Sequence, residues 1–70
     1  MKLKAYQKKR AKLAEIALNP FITQTGSEKE TVVRDLLSDI RHWCDVNEIN
    51  FDDESYWAEF HYNEELRGED

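Results

Sequence analysis

Cysteine is almost missing from this sequence: Cys44 stands alone, so no intramolecular disulfide framework can staple the fold. Proline and glycine are equally scarce. The one proline, Pro20, and the two isolated glycines, Gly26 and Gly68, exclude a proline-rich or glycine/serine linker and any glycine loop that could cradle phosphate. No apolar run approaches the ~20 residues needed to cross a bilayer, which excludes a membrane-spanning helix. Lys2, Lys4, Lys8, Lys9, Arg10 and Lys12 fill the region where an apolar secretion signal would lie, so the expected compartment is the reducing cytoplasm.

What is present is charge, unevenly spread. Six of the ten basic residues lie within the first twelve positions, whereas residues 45–70 carry ten carboxylates and only Arg67. The chain is therefore polarised from end to end around a net charge of −5. Seventy residues make one small domain. Size scaling for this mass predicts an unfolded surface near ~12,000 Å² and a compact folded one near ~4,600 Å². Burying that difference contributes ~110 kcal/mol against ~105 kcal/mol of conformational entropy, so a partner, a second copy or residual disorder would each relieve the balance.

The periodicity predicts an all-α fold: a small three-helix domain built on a helical hairpin, with a partly disordered basic N-terminal segment. Residues 2–18 are good helix formers, but lysines at their start oppose the helix dipole, so residues 1–12 are expected to be a frayed arm and Leu13–Leu18 to pack. Asn19 and Pro20 are expected to end that helix, leaving Phe21 and Ile22 to plug the core from a loop that runs to Gly26. Ser27 with Glu30 reads as a capping box for a helix over 28–47. In it Val33, Leu36, Leu37, Ile40, Trp43, Cys44 and Asn47 share the core side, and Glu30 is placed to pair with Arg34. Asn47 suits a left-handed helix end, and Ile49 can fold back onto the last turn. Asp52 then reads as the cap of a helix over 53–63, with Phe51 stapled against Tyr56. The domain is expected to span 13–66, and residues 67–70 to form an acidic tail.

His42, Cys44 and His61 are the only soft metal ligands, and a helix sets His42 and Cys44 about 200° apart, so no metal site is assigned. A Cys/His nucleophilic pair would need Cys44 in an open, electropositive place, but its spacing assigns it to the core side. With fifteen acidic residues, close carboxylate pairs are inevitable and carry no catalytic meaning in a chain too small to wall off a pocket. The sequence therefore reads as a non-enzyme without cofactors.

Three binding surfaces remain. Tyr56, Trp57, Phe60 and Tyr62, with Trp43, are many large rings for so short a chain, and helical spacing cannot bring all of 56, 57, 60 and 62 to one side. Tyr56, Trp57 and Phe60, next to Asp52, Asp53 and Glu54, are the candidate protein-binding residues. The acidic half, from Asp45 and Glu48 to Glu59, Glu64 and Glu65, can alternatively imitate phosphates in another protein's nucleic-acid site. Lys4, Lys8, Lys9, Arg10 and Lys12, with Tyr6 among them, can alternatively serve as a nucleic-acid arm, although the acidic whole would repel DNA.

The stretch from Val33 to Glu65 resembles small accessory proteins of tailed bacteriophages. In that family a DLL-D-R-HWCD helix precedes an F-D turn and a short helix ending near H-Y-E-E. The matching positions are Asp35 to Leu37, Asp39, Arg41 to Asp45, Phe51 with Asp52, and His61 with Tyr62, Glu64 and Glu65. The size and basic first third are also similar to those of phage proteins that inhibit transcription by host RNA polymerase. The resemblance implies a phage-type regulator in the host bacterial cytoplasm that binds a host protein, foremost an RNA polymerase subunit, and inhibits it without catalysis. An inhibitor of host defence (restriction or CRISPR) and a DNA-binding accessory protein are the alternatives. It supplies no catalytic residues.

Overall fold

The computed structural model describes residues 4–68, which form three helices: α1, Ala5–Thr25; α2, Val32–Val46; and α3, Phe51–Gly68. All are α-helical, as the periodicity predicts, and no strand occurs among the described residues. α2 and α3 follow one another through a four-residue turn, as the expected hairpin requires.

α1 is longer than its sequence suggests. Pro20 lies inside it, and the helix runs on to Gly26. A proline at an interior position removes one hydrogen bond and crowds the carbonyl four residues back. Here that carbonyl belongs to Ile16, in a stretch where Ile16, Ala17, Asn19 and Pro20 are all exposed. Continuing the helix gathers Leu18, Phe21 and Ile22 onto one half-buried side, which a loop would scatter. Phe21 and Ile22 are thus helical residues and not a plug from a loop. The stop comes at Gly26, whose left-handed backbone (φ 73°) lets its N–H donate to the Ile22 carbonyl at 2.8 Å. At the other end Lys8, Lys9, Arg10 and Lys12 stand on the helix, while residues 1–3 of the expected arm lie outside the described span.

The capping box does not form. α2 starts at Val32 with Thr31 before it, and no side chain caps it. Ser27 is recruited elsewhere: its N–H donates to Thr25 Oγ1 (3.2 Å) and its hydroxyl to Asp35 Oδ2 (2.8 Å), tying the α1–α2 connection to the first turn of α2. Glu28 takes the role of turn former, its carbonyl accepting from the N–H groups of Thr31 and Val32. Glu30 therefore sits in the turn, outside the helical register that would pair it with Arg34.

The α2–α3 turn is a Schellman motif displaced by one residue from the expected site. Asn47 keeps a right-handed backbone (φ −101°), and Glu48 takes the left-handed position (φ 57°). The Ile49 N–H donates to the Cys44 carbonyl at 2.8 Å and the Glu48 N–H to Asp45 at 3.3 Å. The Asn47 amide adds a bond to the Trp43 carbonyl at 2.8 Å. Ile49 folds back half-buried, as its position predicts.

Burial is concentrated near the ends of α2. Val32, 5% exposed, lies beside α1, and Cys44, 4% exposed, lies where α2 meets α3; these are the buried residues among those described. α1 and α3 approach where the Lys4 ammonium donates to the Leu66 carbonyl and where Tyr6, Ala11, Tyr62 and Leu66 line a shared gap. The helices thus touch near their ends, and the outline is flat: Cα extents are 38 × 27 × 17 Å, with a radius of gyration of 13.9 Å. A compact chain of this length has a radius near ~11 Å. Of the rest of the expected core side of α2, Leu36 is half-buried and the other large apolar residues are exposed. Val33, Leu37, Ile40 and Trp43 are 62%, 48%, 37% and 58% exposed, because α1 and α3 reach α2 mainly at its two ends.

Two left-handed residues give opposite predictions for stability. No heavy atom lies within 4 Å of a Cβ built on Gly26, so Gly26→Ala suffers backbone strain alone and loses about 1 kcal/mol. Glu48→Gly relieves the same strain and gains about 0.5–1 kcal/mol. Urea unfolding of both variants at one fixed protein concentration checks the two signs.

Candidate functional site

α3 carries the candidate protein-binding residues, and its start decides how they are presented. Asn50 caps the helix: its side-chain oxygen accepts from the Asp53 N–H at 2.9 Å, and its carbonyl from the Glu54 N–H at 3.1 Å. The cap therefore lies two residues before Asp52, and Phe51 is the first helical residue and not a staple outside it. Asp52, Asp53 and Glu54 fill the first turn, where carboxylates suit the positive end of the helix dipole. Asp52 also faces Arg41 at 3.6 Å, and the Arg41 guanidinium lies 5.2 Å from the centre of the Phe51 ring.

At about 100° per residue, Phe51, Tyr62 and Leu66 fall on one side of α3. Phe51 and Leu66 are half-buried there, and Tyr62 and Leu66 face α1 across the shared gap. Tyr56, Phe60 and Trp57 lie about 140–240° away, on the outer side, and all three are exposed. They form a continuous edge-to-face row: Tyr56 and Trp57 have ring centres 5.3 Å apart, Trp57 and Phe60 5.6 Å, and Phe60 and His61 5.9 Å. The split that spacing demands among the rings is thus observed. Trp43 belongs to α2 and takes no part in the row.

α3 extends to Gly68, so Glu64, Glu65 and Arg67 are helical; Arg67 pairs with Glu64 at 3.2 Å. Of the expected acidic tail, Arg67 and Gly68 close the helix, and residues 69 and 70 lie outside the described span. The acidic surface is thus an 18-residue rod with exposed carboxylates along it, longer than the expected 53–63.

The basic candidates are brought onto one helix but not onto one face. Lys8 and Lys12 line the groove between α1 and α2, Arg10 lines the gap toward α3, and Lys4 is held by the Leu66 carbonyl. A phosphate backbone tracked along one line would meet only part of this set.

Cys44 is a buried free thiol, His42 is exposed on the same helix, and His61 belongs to the ring row of α3. Among the described residues no three His, Cys, Asp or Glu side chains converge as a metal site, and no helix is long and apolar enough to cross a membrane. No family model matches the chain, and no curated protein or solved structure matches it.

The Asn50 cap is missed by sequence reading because Asp52 offers an equally good signal two residues on. Asn50→Ala removes the observed cap and is expected to lower stability by about 1 kcal/mol. Asp52→Ala removes an exposed ion pair and changes stability by less than about 0.5 kcal/mol. Parallel thermal unfolding of the two variants distinguishes the two starts of α3.

Proposed function

We propose that this protein acts by occupying a surface of another protein, without catalysis, and that the outer side of α3 makes the contact. The observation that carries the reading is the exposed row Tyr56, Trp57 and Phe60, directed away from the α1-facing side of the helix and preceded by the acidic first turn. Rigid rings with few rotatable bonds, bordered by charge, are the side chains that dominate protein interfaces. The resemblance of Val33–Glu65 to phage accessory proteins extends the reading: the partner is a host machine, foremost RNA polymerase, and the outcome is inhibition in the bacterial cytoplasm. A basic surface on the partner would complement Asp53, Glu54 and Glu59.

A second reading is favoured by the length of α3. An 18-residue helix spans about 27 Å and holds exposed carboxylates at fixed intervals, as an imitation of a phosphate backbone requires. In that reading the target is the nucleic-acid channel of a host-defence nuclease or of polymerase itself. The nucleic-acid arm is the least supported of the three, because its cations point to different sides of α1.

Purified bacterial RNA polymerase separates these readings. The full chain should bind it at micromolar concentration and reduce run-off transcription. Trp57→Ala and Tyr56→Ala should each weaken binding about tenfold with helicity retained. Loss of binding on charge reversal at Asp52, Asp53 and Glu54, with the ring variants unaffected, would transfer the function to phosphate imitation. Absence of any binding to polymerase would remove it as the partner.

A further inference from the structure

One arginine of this chain already shows how α3 receives a guanidinium. Arg41, from α2, lies 5.2 Å from the centre of the Phe51 ring and 3.6 Å from the Asp52 carboxylate, so a ring and an acid at adjacent positions of α3 share one planar cation. The turns that follow repeat the combination. Seven residues after Asp52, Glu59 returns to within about 20° of the same side of the helix, and Phe60 stands beside it. Tyr56, Glu59, Phe60 and Asn63, confined to about 100° of arc, line an open cleft of about 240 Å³.

Charge and shape together narrow what this cleft can take. Among the described residues Arg41 is engaged by Asp52 and Arg67 by Glu64, and no lysine or arginine pairs with Glu59 or stands over Tyr56 or Phe60. Residues 45–70 as a whole hold ten carboxylates against Arg67 alone. An anion is repelled by such a field, and a purely apolar group would remove Glu59 from water without a partner. A guanidinium suits every wall: its flat faces lie on rings, and its five N–H donors reach both the Glu59 carboxylate and the Asn63 amide oxygen. An ammonium matches the charge, but it has no flat face to lay on a ring and holds its water more strongly.

We infer that the cleft of Tyr56, Glu59, Phe60 and Asn63 takes an arginine side chain of the partner protein, laid on the rings and paired with Glu59. The inference rests on the reading of α3 as the protein-binding helix and names the chemistry of what it meets: an exposed basic segment with arginine, not lysine, at the contact. Docking would set that arginine about 10 Å along α3 from Arg41, on the same flank. Trp57, edge-to-face with both Tyr56 and Phe60, borders the cleft and would be covered with it. Closure by the partner excludes water, which strengthens both the ring contact and the ion pair over their exposed values.

Octa-arginine and octa-lysine, equal in length and charge, test the inference on the full chain at about 150 mM salt, where exposed charges are screened beyond about 8 Å. Backbone amide shifts in nitrogen-15 spectra locate each peptide and give its affinity. Octa-arginine should bind at least threefold more tightly than octa-lysine, with the largest shifts at residues 56–63. Glu59→Gln and Phe60→Leu, both at exposed helical positions, should each weaken octa-arginine about fivefold and bring it level with octa-lysine. Asp45→Asn removes the same charge outside the cleft and should keep the preference for arginine. Equal affinity of the two peptides, or shifts centred on residues 52–54 or 64–65, would overturn the arginine cleft. It would fall alone if Trp57→Ala and Tyr56→Ala still weaken binding to polymerase. A chain that prefers octa-arginine at residues 56–63 yet ignores polymerase keeps the cleft and removes that partner.

Discussion

Ordering a residue costs about 1–2 kcal/mol of backbone entropy, and burial of apolar surface is what offsets it. In this protein that burial is delivered at the two ends of one helix. Val32 is closed off near α1 and Cys44 near α3, and between them Val33, Leu37, Ile40 and Trp43 stay exposed. The constraint is geometric: three helices joined by short connections, each meeting the next near its end, enclose little volume. The flat outline and the large accessible surface are two expressions of it.

What the core lacks, the junctions partly supply. At the α1–α2 connection Gly26 takes the left-handed backbone that ends α1, and Ser27 then hands a hydrogen bond to Asp35 in the next helix. At the α2–α3 connection Ile49 bonds back to Cys44 and folds over the end of α2, while Arg41 reaches Asp52 and the Phe51 ring. Each junction fixes the direction of the chain through polar geometry, with modest energy. Exposed ion pairs and caps contribute on the order of 1 kcal/mol or less apiece. They specify how the helices leave each other without closing the space between them.

The parts of this fold legible in the sequence are those governed by periodicity. The three helices, the amphipathic character of α2, the burial of Cys44 and the return of Ile49 all follow from spacing. The illegible parts are choices among near-equal local options. Ser27 and Glu30 have capping-box spacing, yet Ser27 gains more by bridging Thr25 and Asp35. Asn47 is the better left-handed residue by type, but the closing bond from Ile49 to Cys44 requires the turn one position later, at Glu48. Pro20 reads as a stop because local sterics oppose it, and the half-buried side of Leu18, Phe21 and Ile22 outweighs that local cost. The candidate binding residues Tyr56, Trp57 and Phe60 are legible as a cluster of rings. Their shared outer side required knowing that Phe51 and Leu66 turn the other way.

The most consequential disagreement concerns α2, where the pattern of apolar residues was right and its expected burial was not. Binary patterning records which side of a helix is to be covered, and it is silent about whether the cover comes from the same chain. A short chain can therefore have the pattern of a complete domain and leave part of it uncovered. The end-to-end charge asymmetry fits this division. Carboxylates crowd the outer turns of α3 and cations the sides of α1, whereas the exposed stripe residues of α2 from Val33 to Trp43 are apolar. Charged groups removed from water would need close partners, and the stripe residues carry none. The same chain thereby keeps an apolar stripe on α2 apart from the rings and carboxylates exposed on α3.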